Sequence, residues 1–169
     1  MFVDVNRISG KGLLLDDSTE LDENLLVEDD SFFLDNVYYN IFFKKDTNQI
    51  KVKGNIRTSI SLHCVYCLES FELKINSEFD IILFPIGLIQ VDNSALNPDD
   101  MEYIFYESDR IDLDKILMEQ VNLFIPYNPV CSPNCLGLCP NCGINLNHQR
   151  CHCEKPVNDM SLFFDKSKR

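Results

Sequence analysis

The chain has 169 residues, 45% of them hydrophobic, with few glycines and prolines. That is enough to bury a core, and it excludes a low-complexity polypeptide. The net charge of −12 argues against a protein that grips nucleic acid chiefly through phosphate, because such proteins carry a basic footprint.

The first residues, MFVDVNRISGKG, have neither the basic start nor the apolar run of a secretory signal. Phe2, Val5 and Ile8 suggest a short strand or turn. The stretch from Asp16 to Asp30 is dense in charge and reads as a loop, partly mobile. Residues 1–30 alone carry −7.

From Phe32 to Lys44 the pattern becomes strand-like, with Val37, Tyr39, Ile41 and Phe43 on one face. Tyr38 and Phe42 share a face of the same segment and are expected to serve core or edge packing. Asp46-Thr47-Asn48-Gln49 makes a turn into the clearest element. From Ile50 to His63 the alternation is complete: Ile50, Val52, Gly54, Ile56, Thr58, Ile60 and Leu62 against Lys51, Lys53, Asn55, Arg57, Ser59, Ser61 and His63. A period of two marks a half-buried strand. Phe71 to Leu83 repeats it. The three segments predict a mainly β fold: an antiparallel meander of long strands whose twist curls it into a half barrel.

The longest apolar stretch, Ile81 to Ile89, is nine residues interrupted by Pro85 and Gly87. A membrane span needs about 20, so a cytoplasmic protein is expected, with no membrane partner. Residues 92–101 are polar, include Pro98 and read as a loop. Tyr103 to Tyr106 suggests a short strand. Leu113, Ile116, Leu117, Val121 and Phe124 then fall at helical spacing, after the capping candidate Asp112 and before Pro126. One amphipathic helix at about 112–125 is expected to cover the concave face of the sheet. Residues 1–125 thus form a β domain with its helix, and residues 126–169 a second, cysteine-rich segment.

In a reducing compartment, eight cysteines point to metal rather than disulfides. Cys64-Val65-Tyr66-Cys67 lies at the tip of a predicted hairpin. The other six fall between Cys131 and Cys153. Structural zinc is held by four thiolates, and a C-x-x-C turn supplies two of them. In Cys139-Pro140-Asn141-Cys142-Gly143 the proline stiffens the turn, and the glycine permits a left-handed backbone that aims amides at the sulfurs. Two structural zinc ions are therefore expected. One partition pairs Cys139, Cys142, Cys151 and Cys153 in a local set, which costs least loop entropy. Cys64, Cys67, Cys131 and Cys135 then clamp the hairpin tip to the C-terminal segment. The rival partition groups Cys64, Cys67, Cys139 and Cys142, leaving Cys131, Cys135, Cys151 and Cys153. His148 and His152 are alternative ligands, although eight cysteines suffice; His63 reads as a strand-face residue.

Three other thiol chemistries fit less well. A redox C-x-x-C wants an exposed thiolate at a helix start, whereas Cys64 and Cys67 sit between strands. Iron–sulfur clusters also take four cysteines, but the knuckle-like turn favours zinc. Catalytic zinc keeps an open position, and these sites are full. No nucleophile–base pair, phosphate loop or carboxylate dyad stands out, so no catalytic residue, enzyme activity or small-molecule substrate is expected.

Four features together resemble the YceD family, the large ribosomal RNA subunit accumulation proteins: KGNIRTSISLHCVYCLESFE, the helical segment IDLDKILMEQVNLFIPYNPVC, the knuckle GLCPNCGINLN, and the closing CHC. Gly54 leads the strand into the first C-x-x-C, and Pro126 and Pro129 follow the helix, as in that family. Tyr66 stands where an arginine is common in the family. The resemblance implies a ribosome biogenesis factor supporting accumulation of large-subunit ribosomal RNA. The acidic charge makes a ribosomal or assembly protein the expected direct partner. RNA contact through Lys51, Lys53 and Arg57, in the basic stretch 44–57, is the second reading. The alternative function is a zinc-ribbon nucleic-acid-binding protein acting outside ribosome assembly.

Overall fold

The computed structural model describes residues 1–86 and 102–153. The loop expected at 92–101, and the basic residues of the C-terminal end, lie outside them. In chain order the strands are β1 (Phe2–Asp4), β2 (Leu13–Thr19), β3 (Phe32–Phe33), β4 (Val37–Lys45), β5 (Ile50–His63), β6 (Ser70–Pro85), β7 (Glu102–Tyr106) and β8 (Arg110–Asp112), followed by the helix α1 (Leu113–Phe124).

β4, β5 and β6 form the antiparallel meander, with Ile50 opposite Leu83 at one end and His63 opposite Ser70 at the other. The sheet is wider than three strands. Its order is β2-β4-β5-β6-β7, with β3 pairing on β5 beyond the end of β4, and it is open. β7 runs parallel to β6, and β1 pairs with β8 in a separate ribbon.

One sheet face is the core. Val37, Ile41, Phe43, Val52, Ile56, Ile60, Leu62 and Leu83 are fully buried in one cluster with Ile111, Leu113, Leu117 and Val121. Gly54 is required there, because a Cβ would come within 2.4 Å of the Phe79 ring. The Asp112 carboxylate accepts the Lys115 amide at 3.3 Å and starts α1. The helix buries Leu113, Ile116, Leu117, Met118, Gln120 and Val121; Phe124, expected inward, is 47% exposed in its last turn.

Two expectations about the first half are corrected. Residues 13–19, inside and beside the supposed charged loop, form β2 and pair with β4 from Leu13–Phe43 to Thr19–Val37. An edge strand tolerates Asp16 and Asp17, since one side of its backbone and one face of its side chains meet water. Tyr38 and Phe42 are not core: they are 50% and 37% exposed on the outer face, as strand alternation demands once Val37, Tyr39, Ile41 and Phe43 point inward.

Candidate metal centre

The β5–β6 hairpin ends in a knuckle. The Leu68 amide donates to the Cys64 carbonyl at 2.8 Å and the Cys64 amide donates to the Glu69 carbonyl at 2.9 Å. The second C-x-x-C repeats both bonds: Gly143 amide to Cys139 carbonyl at 2.9 Å, Cys139 amide to Ile144 carbonyl at 2.8 Å. Two sequences far apart in the chain thus build one backbone turn.

The eight sulfurs fall into two groups, each with all sulfurs within 4.8 Å of one another: Cys64, Cys67, Cys131 and Cys135, and Cys139, Cys142, Cys151 and Cys153. The exchanged partition does not occur, and His148 and His152 join neither group. All eight thiols are free of disulfides. In the first group Cys64 and Cys135 sulfurs are 3.8 Å apart, Cys67 and Cys131 sulfurs 3.7 Å. Four thiolates at ~2.3 Å from a central zinc have sulfur separations of about 3.8 Å. The donor set therefore fits a tetrahedral metal.

The electrostatics are those of ligand nests. Burial alone would raise the Cys64 thiol, but the amides of Cys131, Cys67 and Tyr66 and the Cys67 thiol outweigh it and bring it down to about 6. The amides of Cys142 and Asn141 bring Cys139 to about 6 against burial. In the opposite direction, burial and the Cys135, Cys67 and Cys64 thiols push Cys131 up to about 12. The Cys142 thiol, burial and the Cys139 thiol do the same to Cys153. Each group thus holds one favoured thiolate beside a sulfur that resists a further negative charge, the situation a divalent cation relieves.

The two groups are tied together. The Val65 amide donates to the Pro129 carbonyl at 2.9 Å, fixing the segment after α1 to the hairpin tip. The Leu138 amide donates to the Tyr66 carbonyl at 2.9 Å. That approach needs Gly137, at φ +70°, where a Cβ would stand 3.1 Å from the Tyr66 carbonyl oxygen. The Asn147 side chain bridges: its Oδ1 accepts the Leu136 amide at 2.8 Å and its Nδ2 donates to the Cys135 sulfur at 3.3 Å. His148 meets Glu69 at 2.7 Å. Sequence reasoning missed Asn147 and Glu69; the only local signal was an amide-bearing residue placed between the cysteines of the second group.

The candidate contact residues separate. Lys51 is half-buried in mid-sheet. Lys53 is exposed and ion-paired with Asp80 at 2.6 Å. Arg57 is exposed, stands opposite Tyr38, and has no ion pair among the described residues. No helix among them is long and apolar enough to cross a membrane.

The family described as "Large ribosomal RNA subunit accumulation protein YceD" matches residues 52–163. A maize protein, "Large ribosomal RNA subunit accumulation protein YCED homolog 1, chloroplastic", is 30% identical over 68% of this chain and 47% of its own length. The Arabidopsis thaliana protein of the same name is 27% identical over 66% of this chain and 41% of its own. An uncharacterised Mycobacterium bovis protein is 40% identical over 28% of this chain and 23% of its own. The chain thus spans less than half the length of the plant relatives it matches. No solved structure matches it. With the family pattern running from β5 past the last cysteine and covering most of the chain, the protein belongs to the YceD family of large ribosomal RNA subunit accumulation proteins.

Proposed function

We propose that this protein is a zinc-stabilised, non-enzymatic ribosome biogenesis factor that supports accumulation and maturation of large-subunit ribosomal RNA in the cytoplasm. The observation that carries the reading is the pair of four-cysteine groups in a chain of this family. Four thiolates fill a tetrahedral zinc and leave no position for substrate or water, which suits scaffolding rather than hydrolysis. In this reading residues 1–125 form a β domain whose long strands curl as a half barrel about α1, and residues 126–169 form a segment that zinc closes onto the 64–67 hairpin tip.

The partner is a ribonucleoprotein particle rather than bulk RNA. A net charge of −12, made more negative by zinc-bound thiolates, opposes non-specific binding to phosphate. It favours encounter with a basic ribosomal or assembly protein. The test is a sucrose-gradient profile of cell lysate. The protein is expected to sediment with precursor large subunits, and its depletion to lower large-subunit ribosomal RNA. A protein that stays at the top of the gradient, with ribosomal RNA unchanged on depletion, overturns the proposal.

A further inference from the structure

We propose that an exposed apolar band formed by Leu25, Val27, Leu123, Phe124 and Tyr127, where α1 runs towards the first cysteine group, docks a protein segment that is apolar on one side and rich in lysine and arginine on the other. The inference rests on the ribosome-assembly reading and names the surface and the chemistry by which a basic partner protein is held.

The Asn122 side chain joins the two halves of the band. Its Oδ1 accepts the Val27 amide at 3.1 Å and its Nδ2 donates to the Leu25 carbonyl at 3.0 Å. Leu26, between them, packs against the core, and the Asp22 carboxylate caps the single turn of 3-10 helix at Glu23–Leu25. Leu25 and Val27 are therefore 60% and 64% exposed on a segment fixed to the end of α1. Leu123, beside Asn122, is 65% exposed, and Tyr127, just past the helix, is 94% exposed.

Tyr127 sits between Pro126 and Pro129. Pro129 is buried, and its carbonyl takes the Val65 amide at the hairpin tip. The first cysteine group thus holds that end of the band. Single exposed apolar residues are ordinary, but a contiguous group on anchored backbone marks an interaction surface. A tyrosine on a proline-stiffened turn also loses little freedom when a partner covers it.

Charge selects the occupant. From Gly12 to Phe43 the chain has no lysine, arginine or histidine. Around Leu25 and Val27 stand Glu20, Asp22, Glu23, Glu28, Asp29 and Asp30, and none of these has an ion pair among the described residues. From Leu117 to Pro129 the only charged residue is Glu119. Lys115, the one cation of α1, lies eight residues before Leu123, about 12 Å up the helix. In the cysteine segment His148 is taken by Glu69, and Arg150 is set among thiolates that add negative charge when they hold zinc. The band is apolar with an acidic rim. RNA phosphate and anionic lipid are repelled by that rim, and a second copy of the chain would press two acidic rims together. A basic amphipathic segment satisfies both parts at once, its apolar side on the band and its cations on the carboxylates.

The experiment uses the zinc-loaded full chain and fluorescence anisotropy with labelled peptides. One peptide carries leucines on one helical face and lysines and arginines on the other. A second has the same composition with the leucines scattered, and a third has glutamates in place of the cations. A mixed-sequence single-stranded RNA is the competing probe. The facially basic peptide is expected to bind and the other two to bind far more weakly. Tyr127→Ala and Leu123→Ser each weaken it about tenfold, the scale of a central interface contact. Glu23→Gln combined with Asp29→Asn weakens it at low salt and little at high salt, as exposed charges do. Leu14→Ser, which removes a side chain 58% exposed on β2, leaves binding unchanged. Wild-type affinity in both Tyr127→Ala and Leu123→Ser, equal binding of the scattered or glutamate peptide, displacement of the basic peptide by RNA, or a dimer that Tyr127→Ala dissolves in sedimentation velocity overturns the inference. If the peptide fails to bind while the protein still sediments with large-subunit precursors, this surface falls and the ribosome reading stands. Peptide binding by a protein that stays at the top of the gradient supports the surface and removes that reading alone.

Discussion

Leu68 holds in the first cysteine turn the place that Gly143 holds in the second. Both are left-handed, at φ +60° and +71°, and both donate their amides to the carbonyl of the leading cysteine. A left-handed leucine costs about 1–2 kcal/mol relative to its ordinary conformation, and glycine does not bear that cost. Leu68 is also 64% exposed, so its side chain recovers little by packing. Leu68→Gly is therefore expected to raise resistance to denaturant slightly, by no more than about 1 kcal/mol once glycine's greater unfolded entropy is subtracted. Gly143→Ala is expected to lower it by about 1 kcal/mol. Denaturant midpoints of the two variants, taken with zinc bound, check the pair. A Leu68→Gly variant weaker than Gly143→Ala would mean that the leucine side chain supports the turn.

The purified, untagged protein is expected to contain two zinc ions per chain. The sulfur separations of 3.7 and 3.8 Å in the first group match the edge of a zinc–thiolate tetrahedron, and the second group is equally complete. Elemental analysis of protein made in zinc-sufficient cells measures it. Iron in that assay, or less than one metal per chain, rules the assignment out.

The long strands were legible in the sequence because their environment is two-sided. From Ile50 to His63 one face meets the core and the other is polar, so the period of two survives the whole length of β5. β2 was hidden because its alternation, carried by Leu13 and Leu15, gives way after three residues to acids that an edge strand accepts. β7 as a parallel neighbour of β6 was not legible, since parallel pairing follows from a crossover connection and leaves no local mark. For Tyr38 and Phe42 the information was present and overridden. Aromatic character suggested burial, yet the inward set Val37, Tyr39, Ile41 and Phe43 already assigned them outward. The grouping of the cysteines was legible through loop closure alone. The bonds through Asn147 and Glu69 depend on tertiary approach.

The two cysteine groups are expected to fail differently. Cys64 belongs to the group that ties β5 and β6 to Cys131 and Cys135, so Cys64→Ser should release the segment after α1 from the sheet. Cys142→Ser should disorder mainly residues 136–153. Structural zinc is worth roughly 10–16 kcal/mol in isolated fingers, so either loss is large against ordinary stability. Coupling is expected in one direction. Releasing the first group also removes the Tyr66 carbonyl that anchors Leu138. Releasing the second leaves the Val65–Pro129 bond in place. Amide exchange on both variants reads this, and unchanged protection around Cys131 in Cys64→Ser contradicts it.

Lys51, Lys53 and Arg57 are expected to contribute unequally to any contact with RNA. Lys53 is engaged by Asp80 at 2.6 Å, an exposed pair worth at most about 1 kcal/mol but sufficient to cancel much of its field at a phosphate. Lys51 is half-buried and lies between Lys44 and Ile82 across the sheet, one outward row beyond Phe42. Arg57 has neither constraint and faces the more exposed ring, Tyr38. Arg57→Glu should therefore weaken binding of ribosomal RNA more than Lys53→Glu or Lys51→Glu, and should lower the salt slope by about 0.7 for the lost phosphate contact. Lys53→Glu has a second effect, because it sets a carboxylate against Asp80 and lowers stability. Titrations of large-subunit ribosomal RNA at several salt concentrations, with a melting curve for each variant, separate the two effects. Equal losses for all three reversals would assign binding to the summed charge of the basic stretch. A dominant loss at Arg57 places the contact beside Tyr38, its cross-strand neighbour.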